Sequence, residues 1–67
     1  MASSCMAQAH DHLERLSHLA EICARYEALD DGAGYLVAGR KLIDEARGFA
    51  KLLKEMELSF VNHEKNR

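Results

Sequence analysis

Proline and tryptophan are absent from the 67 residues, and only four residues are aromatic. With no proline, no ring-closed residue interrupts a helix. No apolar run approaches the ~18 residues a membrane span requires, which excludes a transmembrane helix. Cysteine is sparse. Cys5 and Cys23 fall in the same helical segment, and a continuous helix separates them by roughly 27 Å, far beyond the ~7 Å limit for a disulfide. Two such cysteines without a signal peptide point to a reducing, cytoplasmic setting. Chemical motifs are missing too. Gly32 and Gly34 precede a helix, but no strand leads in and no Gly-Lys-Ser/Thr follows, so they make no phosphate loop. The sequence has no HExxH, no nucleophile–base–acid set and no cofactor motif. The expectation is a non-enzymatic protein without a cofactor.

What is present is helical. Apolar residues make up 48% and charged residues 30%, an ordinary soluble helical composition rather than a disordered one. A chain of this size buries only about 60% of its unfolded surface and usually needs a disulfide, a metal or self-association for support. The net charge of −2 hides an asymmetry. Residues 1–31 carry two basic and six acidic side chains, for −4, and residues 32–67 carry seven basic and five acidic, for +2.

The strongest signal is a 4-3-4-3 rhythm in the second half: Tyr35, Gly39, Leu42, Ala46, Phe49, Leu53, Met56, Phe60. That spacing places eight residues on one stripe of a helix about seven turns long. The first half repeats it with Met6, Ala9, Leu13, Leu16, Ala20 and Cys23, and fails at Glu27. Between the two lies Asp30-Asp31-Gly32-Ala33-Gly34, the one dense cluster of turn formers. The expected layout is a helix over about 4–29, a turn at 30–34, a helix over about 34–62 and a frayed tail at 63–67. Ser3 or Ser4 is the candidate N-cap of the first helix and either aspartate that of the second. Gly32 is the candidate left-handed residue that ends the first helix.

So short a turn makes the helices antiparallel neighbours. The fold class expected is all-α, an antiparallel two-helix hairpin forming one domain over residues 1–67. A hairpin alone leaves apolar surface over. Leu36, Ile43 and Ala50 flank the main stripe of the second helix, and Cys5, Leu19 and Tyr26 flank that of the first. Each arc is wide enough for two neighbours, so a homodimer forming a four-helix bundle is expected. In length, turn position and periodicity the layout resembles that of the plasmid-encoded ROP proteins, which are short helical hairpins that dimerise into four-helix bundles.

Several groups carry alternative readings. His10, Glu14 and His18 line one exposed face at i, i+4 and i+8, where they can chelate a divalent metal or form a solvated polar face. The latter is favoured, since zinc needs three or four ligands, and no metal is expected. His12 falls within the apolar arc and reads as a core-edge histidine bonded to a carboxylate or carbonyl, or as a pH-sensitive group. Glu27 can pair with Arg40 or Lys41 across the hairpin or reach water. Cys23 reads as a small buried hydrophobe.

Arg40, Arg47 and Lys54, spaced by seven, form a basic ridge with Lys51 beside it. The ridge suits phosphates. Asp44 and Glu55 interrupt it, however, no aromatic interleaves, and Arg40–Asp44 is an i,i+4 pair. Leu36 and Ile43, then Leu58 and Val61, lie between stripe and ridge, and apolar anchors edged by arginine suit a protein contact. Leu36, Arg40, Ile43, Arg47, Leu19 and Tyr26 are therefore the candidate partner or subunit interface. The function expected is a small interaction module that binds and modulates another protein as inhibitor, adaptor or co-chaperone. The alternative is an RNA- or DNA-binding regulator using the ridge in a ROP-like dimer.

Overall fold

In the computed structural model the backbone is described for residues 2–65 and the side chains for 4–62. Two helices, α1 (Ala2–Ala28) and α2 (Gly32–Lys65), pack against each other in a rod of 54 × 16 × 12 Å. Neither helix is long and apolar enough to cross a membrane. The helix α1 begins upstream of the expected cap, so Ser3 and Ser4 lie inside its first turn. The helix α2 runs to Lys65, three residues past the expected end, and residues 66 and 67 of the expected tail lie outside the described residues.

The turn is tighter than the run of turn formers implied. Gly32, Ala33 and Gly34 belong to α2, leaving Leu29–Asp31 as the connection. Asp30, not Gly32, adopts the left-handed conformation, with φ 54°, and no glycine has positive φ. The Asp30 amide donates to the Glu27 carbonyl at 3.1 Å and the Asp31 amide to the Tyr26 carbonyl at 2.9 Å. These are the paired bonds of a Schellman stop, which need one left-handed residue and accept aspartate at modest cost. Asp31 then caps α2, its Oδ1 accepting from the Gly34 amide at 3.0 Å. One residue thus closes α1 with its backbone and opens α2 with its side chain. Gly34 has a second role. A Cβ there would stand 2.4 Å from the Tyr26 ring, so glycine lets that ring lie on the start of α2.

The seam between the helices uses half of each expected stripe. Leu42, Phe49 and Met56 are half-buried as expected, as is Leu16, while Ala9 and Cys23 are buried. The other half is displaced by one row. Glu45 and Leu52 turn inward in place of Ala46 and Leu53, Ala38 is buried beside a half-buried Gly39, and Cys5, His12, Leu19 and Tyr26 turn inward in place of Met6, Leu13 and Ala20. Leu53 stays 45% exposed, Phe60 66%, Met6 61% and Leu13 51%. The physical reason is small size on the inside. Ala9 and Ala38 let the backbones approach, and among the described residues only these two, Cys23 and Leu52 are buried.

Candidate functional site

Two surfaces stand out, one on each side of the seam. The first is polar. Glu45 takes the inward position between Ala38 and Leu52, and its carboxylate reaches across to α1. Arg15 Nε donates to Glu45 Oε1 at 2.8 Å, and His12 Nδ1 bonds Glu45 Oε2. The His12 ring lies 5.7 Å from the Phe49 ring, tilted by 33°, above the bare backbone of Gly48. His12 and Glu45 are mostly covered, while Arg15 is half exposed. The hydrogen bond from Arg15, then that from His12, holds the Glu45 carboxyl below its usual pKa, and the same contact raises Arg15. His12 is thus the carboxylate-bonded core-edge histidine its position implied. Its partner escaped the sequence reading because Glu45 lies one place before Ala46 on the expected stripe. The legible signal was its spacing of seven from both Ala38 and Leu52.

The second surface is apolar. On each helix the row next to the seam is exposed apart from a half-buried Gly39: Met6, Leu13 and Ala20 on α1, and Gly39, Ala46, Leu53 and Phe60 on α2. Both rows are reached by turning away from the His12–Glu45 side, so in an antiparallel pair they lie on one face of the rod. Beyond them on α2 come Ile43, 52% exposed, and Leu36, 71% exposed. Leu36, Arg40 and Ile43 line one shallow depression with Tyr35, Val37 and Gly39, and Arg47 is exposed one turn further along. Leu19 and Tyr26 are half-buried and belong to the row that faces α2. The six candidate interface residues thus divide into an exposed four and a seam-side pair.

His10 Nε2 pairs with Glu14 Oε1 at 2.8 Å in a solvent-exposed i,i+4 contact, and His18 does not join them. Among the described residues no three His, Cys, Asp or Glu side chains gather as a metal set. Glu27 is exposed and bonds neither Arg40 nor Lys41. The expected Arg40–Asp44 pair is not formed, since among the described residues the ion pairs are His10–Glu14, His12–Glu45 and Arg15–Glu45. No protein-family model matches the chain, and no curated protein or solved structure matches it either.

Proposed function

We propose that the protein is a non-enzymatic interaction module, working as a homodimeric four-helix bundle, that modulates another protein by covering or bridging its surface. The observation that carries this reading is the imbalance between what the hairpin buries and what it leaves open. Among the described residues the buried ones are three small ones and Leu52, while Met6, Leu13, Leu36, Ile43, Leu53, Leu58 and Phe60 are each 45–71% exposed. The chain exposes 5609 Å², about 1,350 Å² more than the ~4,250 Å² expected of a compact monomer of 7.5 kDa. A standard interface buries about 800 Å² on each partner, so the excess is more than one such contact covers. Leu36 and Ile43, edged by Arg40 and Arg47, supply apolar anchors with a cationic rim. A cytoplasmic setting fits two free cysteines, Cys5 and Cys23.

One observation favours the second reading, a nucleic-acid-binding regulator. Arg40, Arg47, Lys51 and Lys54 are exposed and form none of the ion pairs of the described residues. Salt separates the two. Capture of host proteins on the full chain, with Ile43→Asp as the control, followed by binding of the purified partner at rising salt, is expected to show affinity that Ile43→Asp loses and salt barely changes. Captured nucleic acid whose affinity falls linearly on a log–log plot against salt overturns the protein-partner reading.

A further inference from the structure

The open face has a built-in direction. The cross-helix contacts fix the register of the hairpin: Tyr26 with Gly34, Arg15 with Glu45 and His12 with Gly48 each have residue numbers summing to 60. Beyond the open row of α1 the rim is acidic, with Glu14 and Glu21 seven residues apart and exposed. Beyond the open row of α2, past Leu36 and Ile43, the rim is basic, with Arg40 and Arg47 also seven apart and exposed. By the register Glu14 is level with residue 46 and Glu21 with residue 39. Each acid therefore stands within one residue, about 1.5 Å of rise, of the height of an arginine. Within one hairpin these rims lie on opposite outer edges and cannot meet.

Two copies can stack their open faces around a two-fold axis in two ways. With the axis across the rod, α1 lies on the partner's α1 and α2 on the partner's α2, and the turns sit at opposite ends. Acidic rim then meets acidic rim and basic meets basic. With the axis along the rod, α1 lies on the partner's α2 and both turns sit at the same end. A two-fold along the rod keeps heights unchanged, so Glu14 then meets Arg47 of the other copy and Glu21 meets Arg40. Both arrangements bury the same apolar rows, so the charges decide between them. Juxtaposed like charges select against a pairing mode more strongly than rim salt bridges stabilise the right one.

We infer that the face formed by Met6, Leu13, Gly39, Ala46, Leu53 and Phe60 takes a second copy of this chain, with both turns at the same end and Glu14–Arg47 and Glu21–Arg40 pairs along its two rims. The inference rests on the dimeric interaction reading above. It gives the arginines of the ridge partners inside the dimer, which leaves less free cation for phosphates.

The decisive measurement is the distance between spin labels at Gly32→Cys in the two copies, in a Cys5→Ser, Cys23→Ala background. The site tolerates a side chain, since nothing stands within 4 Å of a Cβ there. Neighbouring helix axes are ~10 Å apart, so the expected separation is about 20–30 Å including the label arms. The crossed arrangement separates the labels by most of the 54 Å rod. Charge reversal in the chain with its native cysteines gives a second readout. Glu14→Lys/Glu21→Lys, and separately Arg40→Glu/Arg47→Glu, are each expected to raise the dimer dissociation constant about tenfold at low salt, and the fourfold variant to restore it. A long label distance, or dissociation constants unmoved by either reversal, overturns the arrangement and leaves the dimer standing. Sedimentation as a monomer at every concentration overturns both the arrangement and the dimeric reading beneath it.

Discussion

The two sides of this hairpin were built to different ends. On one side a charged residue is drawn into the seam and fully answered, with Glu45 bonded to both Arg15 and His12 from the other helix. On the other side large apolar residues stand in water with nothing across from them. A small protein ordinarily places grease inside and charge outside, and this seam departs from that at one place, where Glu45 and His12 sit among apolar neighbours. A carboxylate set between helices contributes register, since only one alignment presents it with Arg15 and His12 together. The seam aligns the two helices, while Met6, Leu13, Leu53 and Phe60 stay exposed on the open face.

The sharpest way to break this contrast uses two adjacent leucines. Leu52 is buried at the seam and Leu53 is 45% exposed on the open face. Leu52→Ala is expected to cost about 2–5 kcal/mol by denaturant melts at any protein concentration. Leu53→Ala is expected to change the dilute chain by no more than about 0.5 kcal/mol, rising toward the Leu52 value as concentration increases. Equal costs at all concentrations would erase the distinction between the faces.

A pair of glycines gives a smaller test. A Cβ at Gly39 meets nothing within 4 Å, whereas one at Gly48 stands 3.3 Å from His12 Cε1. Gly39→Ala is expected to stabilise the dilute hairpin by the full helix-propensity gain, about 0.8–1 kcal/mol, read as a rise in melting temperature. Gly48→Ala is expected to gain less, because the His12 ring must give way. A larger gain at Gly48 would show that the ring is not held over that backbone.

The smallest effect concerns acid. The folded pKa of Glu45 lies below its unfolded value. Its contribution is therefore whole above the ordinary glutamate pKa of about 4.3, and it is lost as pH falls through the depressed folded value. Urea melts of the native chain and Glu45→Gln are expected to differ at pH 7 and to converge in acid. A gap that persists after Glu45 is protonated would show that its ionisation contributes nothing.

Much of this was legible residue by residue. Apolar periodicity exposed both helices, since a 3.6-residue repeat has few alternative meanings. The Asp-Gly cluster located the turn, and Asp31 was correctly a candidate cap. His12 was read as bonded because a lone polar group in an apolar arc requires a partner. What escaped was rotational. The stripes were centred on the apolar arcs, whereas the helices meet about one row to the side, so Leu52 was passed over for Leu53 and Glu45 for Ala46. The left-handed position was assigned to Gly32 on residue preference, yet hydrogen-bond closure placed it at Asp30.

Two long helices, the place of the chain reversal and apolar arcs broader than one neighbour covers are all dictated along the chain. Each follows from local periodicity or local backbone chemistry. Which part of each arc closes the hairpin and which part remains outside is set by packing between the helices. That choice depends on how closely Ala9 and Ala38 allow two backbones to come, and on Glu45 finding Arg15 and His12 at the same height. These relations join residues some 30 positions apart, and no window along one helix contains them.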